Sequence, residues 1–202
     1  MIRLVARLLF LSVIFVTLPT AAYAQAIVWT IDPGHSAAMF TVRHMMVANV
    51  KGEFSGPSGT VTYDPKDIPG TLKVEATIDA RTVNTRNTDR DQDLKSDRFF
   101  SIAKFPAITF KSTRAEAGAA GHFNVTGNLT IRGVTQPVVL DVEGPTPSVK
   151  DLDHRIRVGA SMTTKVSRKA FGLRYNELLE AGGAVVGDEV SITIDLEMSH
   201  KE

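Results

Sequence analysis

Five histidines, His35, His44, His122, His154 and His200, are the side chains best suited to proton transfer near neutral pH or to metal ligation. Asp32 and Asp91 are the acids that could orient His35 or His44 in an acid–base pair acting on a hydrophobic substrate. His35 and His44 stand nine residues apart. In one unbroken strand that odd spacing sends them to opposite faces, so they would not share a metal unless a bulge intervened. The chain has no cysteine, no G-x-S-x-G elbow, no H-E-x-x-H pair, no phosphate-binding Walker loop and no G-x-G-x-x-G turn. The sequence therefore supplies neither a matched nucleophile nor a metal set, and the expectation is a protein that binds rather than catalyses, with no cofactor.

A second chemistry, the holding of an anion, has two candidate sets. Arg86, Arg90 and Lys95 lie in a charged block that could face an anionic head group beside the N-terminus of a short helix. The interleaved acids Asp89, Asp91, Asp93 and Asp97 neutralise that block if they share its face. The other set is Arg168, Lys169 and Arg174, with no acids between them. The charged block belongs to the segment Arg81–Phe110, RTVNTRNTDRDQDLKSDRFFSIAKFPAITF, which interrupts an otherwise alternating chain and ends in aromatics. Asn87 or Thr88 is placed to cap a helix running to about Ser96, and Thr88-x-x-Asp91 resembles a capping box. So short a helix must dock to persist. Leu94, Phe99, Phe100 and Phe105 are its apolar anchors, which makes the segment a candidate lid over an apolar interior.

The elements that would position these residues are strands. Leu72, Val74, Ala76 and Ile78 alternate with Lys73, Glu75, Thr77 and Asp79, a period of two. Phe123–Ile131, Ile156–Met162 and Val190–Met198 repeat the pattern, with weaker signals at Ile27–Ile31, Ala37–His44, Val50–Phe54, Thr60–Tyr63, Ile108–Thr113 and Val138–Val142. Turn clusters such as Asp32-Pro33-Gly34 and Gly56-Pro57-Ser58-Gly59 separate them. About eight strands with one apolar face each predict an all-β fold, an antiparallel β-barrel with a short helical lid near residues 86–96. The polar faces carry Lys73, Glu75, Arg155, Arg157, Asp195 and Glu197, which tolerate water and not lipid. The apolar faces must then point inward, the reverse of an outer-membrane barrel. An eight-stranded barrel either just fills its interior or holds one small ligand. The inward set is medium-sized, with Trp29 the single tryptophan, which favours a cavity over a fully packed structural protein.

The first 24 residues read as a secretory signal: Arg3 and Arg7, then an apolar run from Leu8 to Leu18, then Ala22-Tyr23-Ala24 as a cleavage site. Removing 24 of 202 residues leaves a domain of 178, residues 25–202, and takes away two of the 23 basic residues against 22 acids, so its charge is about −1. A near-neutral balance gives no electrostatic reason to expect nucleic acid. A signal with no cysteine fits a periplasmic protein held by its core rather than by disulfides.

The chain resembles the YceI-like family of secreted bacterial lipid-binding proteins. The residues that carry the resemblance are Trp29-Thr30-Ile31-Asp32 with His35-Ser36, Phe40-Thr41-Val42-Arg43-His44, and Val50-Lys51-Gly52-Glu53-Phe54. They continue through Asn84-Thr85, Arg90-Asp91, Leu94-Lys95-Ser96, Phe99-Phe100, Phe105-Pro106, Ile108-Thr109-Phe110, Gly127 to Thr135 and Phe171-Gly172-Leu173. The resemblance implies a lipocalin-like barrel enclosing a long isoprenoid chain, with its polar head near the opening. Its implied partner is a polyprenyl phosphate or diphosphate, or an isoprenoid quinone, held for storage or transport. It marks His35, Phe40, Val42, His44, Phe54, Arg90, Asp91, Leu94, Phe99, Phe100, Phe105, Phe110 and Phe171 as expected ligand-region residues. A transient membrane contact for loading fits such a role, and the oligomeric state stays open between monomer and homodimer. Met45-Met46 after His44 makes that segment softer and more apolar.

Overall fold

The computed structural model describes residues 25–119, 121–177 and 184–201; the expected signal segment and its cleavage site lie outside them. The strands are β1 (Ile27–Ile31), β2 (Ala37–His44), β3 (Ala48–Phe54), β4 (Ser58–Tyr63), β5 (Lys73–Asp79), β6 (Ala107–Ala117), β7 (His122–Ile131), β8 (Val134–Glu143), β9 (Val149–Lys150), β10 (Ile156–Ser167) and β11 (Val186–His200). Pairing runs β11-β1-β4-β5-β6-β7-β8-β10 and returns to β11, which closes an eight-stranded antiparallel barrel. The β2–β3 hairpin and β9 are additional strands.

The closure depends on β11, whose length allows two partners on one side. Val186–Asp195 pairs with β2, and Met198 and Ser199 pair with β1. The β1–β2 corner therefore lets two short strands occupy one side of a long one. The corner is built by Asp32, whose carboxylate accepts from Gly34 N at 3.0 Å and contacts His35 Nδ1 at 3.1 Å.

The apolar faces point inward, as the alternation requires. Along β10 the inward row is Val158, Ala160, Met162, Thr164, Val166 and then Arg168, while Lys165 faces out to Glu189. Lys73 and Glu75 are exposed on the outside of β5. Two apolar clusters lie toward opposite ends. One gathers Trp29, Tyr63, Val125, Leu140 and Met198, and the other Ala80, Phe99, Ile131, Phe171 and Leu173. No helix among the described residues is long and apolar enough to cross a membrane.

The polar interruption forms a helix, α2 (Thr88–Lys95), following the single helical turn α1 (Ile68–Thr71). Asn87 is the cap, its side chain accepting from Arg90 N at 2.9 Å. The Thr88–Asp91 capping box does not form, because Asp91 turns back and accepts from both the amide and the hydroxyl of Thr85. Several strands run further than their apolar pattern suggested, β8 from Val134 to Glu143 and β11 from Val186 to His200 among them. β6 continues to Ala117 and β10 to Ser167, with ladder bonds carrying the chain past polar residues.

Candidate functional site

Inside the barrel lies a continuous, almost wholly apolar cavity of about 230 Å³. Its lining comes from every barrel strand except β1, with β2, β3 and α2 adding to it. From Ala160 to Arg168 the inward row of β10 spans eight residue steps, roughly 26 Å of strand, so the cavity is long as well as narrow. Val74, Ala76, Ile78, Leu129, Ile192 and Ile194 point inward yet remain only half-buried, because they face this cavity instead of one another. A fully packed sandwich would bury them.

Glycines shape the wall. A Cβ on Gly127 would sit 2.3 Å from Phe110 Cζ, and one on Gly52 would sit 2.3 Å from Phe40 Cζ. Both pairs are cross-strand neighbours, Phe40 opposite Gly52 and Phe110 near Gly127, so each ring lies flat over a bare backbone. Large aromatic side chains thus line the interior without filling it. The single tryptophan is not in the lining. Trp29 stacks on Tyr63 at 5.7 Å and 12° at one end, 3% exposed. Burial pushes the Tyr63 phenol, which does line the cavity, up to about 12, so it keeps its proton at neutral pH.

Of the residues marked from sequence, the structure brings eight together in the lining: Phe40, Val42, Phe54, Leu94, Phe99, Phe100, Phe110 and Phe171. An aromatic chain joins wall to lid, with Phe40 5.7 Å from Phe54 and Phe54 5.6 Å from Phe100. Leu94, Phe99 and Phe100 form the underside of the α2 segment. The other five lie elsewhere. Phe105 packs over Gly133 on the far side of its loop. Arg90 donates from Nε to the Thr85 hydroxyl and from Nη2 to the Thr85 carbonyl, so Arg90 and Asp91 together hold the loop before α2. His44 ends β2 opposite Val186 and Ala48. His35 is exposed at the β1–β2 corner. The two histidines thus occupy opposite ends of the hairpin strand, because His35 precedes β2 rather than lying in it.

Asp32, His35 and Glu197 converge closely enough to hold a metal ion, but Arg157 already occupies their centre. Its Nη1 donates to Asp32 at 3.1 Å and to Glu197, and its Nε donates to Asp151. The hydrogen bonds from His35 and Arg157 hold the Asp32 carboxyl down to about 2. With one guanidinium bridging three carboxylates, the group is an ion-pair cluster on the outer face, and neither its histidine nor His44 lines the cavity.

Two arginines matter more than their sequence context suggested. Arg132 closes the lid: Nη2 donates to the Asp97 carbonyl at 2.9 Å and Nη1 to the Gly172 carbonyl at 2.7 Å. Arg168 is the one member of the two basic sets that lines the cavity. It is 5% exposed. Its Nε donates to Gly187 O, Nη1 to Leu173 O and Tyr175 O, and Nη2 to Val186 O, at 2.6–3.0 Å. Four backbone carbonyls orient it, and the Asp188 carboxylate, itself held by the Ser167 hydroxyl and the Lys169 amide, acts on it electrostatically with no direct hydrogen bond between them among the described residues. Burial lowers its pKa, the expected response of a desolvated cation. Arg86, Lys169 and Arg174 are exposed instead.

A YceI-like domain matches residues 29–198. A UPF0312 protein of Staphylococcus aureus strain N315 is 36% identical over 174 residues, covering 86% of this chain and 98% of the relative. Among solved structures, the Campylobacter jejuni YCEI protein superposes with a TM-score of 0.65 at 31% identity, covering 79% of this chain and 90% of that one. Burkholderia cenocepacia BcnA shares the fold at a TM-score of 0.69 and 22% identity, over 83% of this chain and 98% of that one. A polyisoprenoid-binding domain from Saccharophagus degradans shares it at 0.61 and 18%, over 86% and 99%. With its barrel closed by β11, its aromatic lid under α2 and a domain match over nearly all of the described chain, this protein belongs to the YceI-like family.

Proposed function

We propose that the protein is a non-catalytic periplasmic carrier that holds one long isoprenoid amphiphile, a polyprenyl phosphate or diphosphate or an isoprenoid quinone, for storage or transport. The observation that carries this reading is the long apolar cavity with a single buried guanidinium, Arg168, in its wall. Each tail carbon withdrawn from water contributes about 0.8 kcal/mol, so a narrow tube needs few polar contacts for tight binding. A head with an oxygen acceptor, phosphate or quinone carbonyl, complements Arg168, whose direct hydrogen-bond partners among the described residues are neutral backbone carbonyls. The description of the Saccharophagus degradans neighbour as a polyisoprenoid-binding domain supports the choice of tail. In this reading the eight lining residues named above contact the tail, and His35, Arg90, Asp91 and Phe105 serve the scaffold.

The test is a titration of the wild-type protein with three ligands of matched isoprenoid tail: a monophosphate, a quinone and a headless hydrocarbon. A charge-assisted hydrogen bond of about 1.5–3 kcal/mol makes the two headed ligands tighter by roughly 10- to 100-fold. Equal affinity for the headless tail removes Arg168 from recognition, and no binding by any of the three overturns the reading.

A further inference from the structure

The tip of the β2–β3 hairpin is built against its own backbone preference. The Val47 amide donates to the His44 carbonyl at 3.1 Å and closes a tight turn whose two central residues are Met45 and Met46. Their φ angles are +49° and +61°, both left-handed. Asn-Gly adopts that geometry freely, whereas residues such as methionine adopt it at a cost. Met45, Met46 and Val47 are nonetheless 43%, 57% and 79% exposed, the only run of three consecutive exposed large apolar residues among those described. The turn therefore holds three apolar side chains out in water on a strained scaffold.

Charge along the hairpin tip itself is one-sided, and the acids of the adjoining β11, Asp188 and Glu189, are already engaged, by Ser167 and the Lys169 amide and by Lys165. The segment Arg43–Lys51 reads RHMMVANVK, with an exposed base near each end and no acid. The other exposed apolar pair, Val149 and Leu152, is not consecutive and is interleaved with charges of both signs, Lys150, Asp151 and Asp153. The hairpin tip also joins the cavity wall directly. The Met45 amide donates to the Val185 carbonyl at 2.8 Å, Val42 and Val186 line the cavity, and the carbonyls of Val186 and Gly187 receive Arg168.

We infer that Met45, Met46 and Val47 insert into the surface of an anionic phospholipid bilayer, with Arg43 and Lys51 on the head groups, and dock the Arg168 end of the barrel on the membrane from which its ligand is drawn. An apolar tip with a basic rim is the composition that holds a polypeptide at a lipid interface. The docking role rests on the carrier reading above; the membrane contact itself does not.

The test uses purified full-length mature protein and vesicles of phosphatidylethanolamine and phosphatidylglycerol in equal parts, with phosphatidylcholine vesicles as the neutral comparison. Two bases at an anionic surface are each worth about fivefold, so flotation with anionic vesicles exceeds that with neutral ones by roughly 25-fold. Met46→Asn combined with Val47→Thr removes the two most exposed apolar side chains of the tip and relieves the left-handed strain at position 46. That variant loses at least tenfold in vesicle binding while its Tm rises by about 2–4 °C, which shows that it folds. Its uptake of radiolabelled polyprenyl monophosphate from vesicles slows in parallel, while its affinity for the same lipid in solution is unchanged. Wild type that fails to float, or a variant that floats like wild type, overturns the inference. Wild type that floats through the hairpin but takes up no polyprenyl lipid refutes the carrier reading and leaves the membrane contact standing.

Discussion

Replacing Ala76 by phenylalanine separates a ligand cavity from a packed core by the sign of its effect. Ala76 lies near the middle of β5, faces the cavity, and is opposite Phe110 across the ladder. In a packed interior, six extra carbons force neighbours off their rotamers and cost about 1–3 kcal/mol. Here the ring enters the cavity of about 230 Å³. It withdraws on the order of 100 Å² of additional apolar surface from water, about 2.5 kcal/mol at 25 cal/mol/Å². Rotamer entropy returns up to about 1 kcal/mol, which leaves the ligand-free protein about 1.5 kcal/mol more stable. For a chain of this size that raises Tm by roughly 3–6 °C. The same ring takes the space of one isoprene unit. At about 0.8 kcal/mol per carbon the loss is near 4 kcal/mol, or roughly a thousandfold in Kd. Delipidated wild type and variant are compared by calorimetry and then titrated with polyprenyl monophosphate. A fall in Tm shows that the interior is packed at this point, and an unchanged Kd shows that the tail does not run past β5.

Other outcomes follow from the polar groups. Arg168→Gln abandons a buried carbonyl at Leu173 and partly buried ones at Tyr175, Val186 and Gly187. Losing several such partners costs on the order of 4 kcal/mol, a drop of roughly 8–16 °C in Tm by calorimetry. A smaller drop than about 3 °C would make Arg168 dispensable to the fold. Asp32, held down to about 2 from an ordinary value of 3.8, contributes stability that is complete above pH 4 and is lost as pH falls from about 4 to 2. Urea midpoints measured across that range should decline for wild type. In Arg157→Met, which leaves Asp32, Asp151 and Glu197 facing one another, the midpoint should be lower at pH 7 and should recover part of the difference as acid neutralises them. A constant gap between the two proteins from pH 7 to pH 2 would show that ionisation of the cluster does not set the difference.

The barrel was legible because its strands obey a period of two with one apolar face, and β1 and β2 begin and end at the residues the pattern marks. Legibility failed where an inward position is polar. Thr164 and Arg168 face the cavity, so the apolar alternation stops at Met162 although the β10 ladder continues to Ser167. The lid was legible from Leu94, Phe99 and Phe100, but Phe105 carries the same side chain and turns outward over Gly133, a choice made by the tertiary contact. Arg90 and Asp91 look like site residues in a charged run, and both instead bond to Thr85, five and six residues earlier. The choice between the two basic sets depended on burial, which one-dimensional charge patterns do not encode. Only the fold carries Arg168 inward and leaves Lys169 and Arg174 exposed.

The central claim is that the apolar cavity is the seat of a long isoprenoid amphiphile. Native mass spectrometry of the mature protein, purified from a bacterial envelope without detergent, tests it directly when paired with identification of the organic extract. The expected result is one lipid per chain, with an isoprenoid tail and a phosphate or quinone head, lost in parallel with binding in Ala76→Phe. A protein that carries no lipid in repeated preparations, or one filled with straight-chain lipid in preference to offered polyprenyl phosphate, would contradict it.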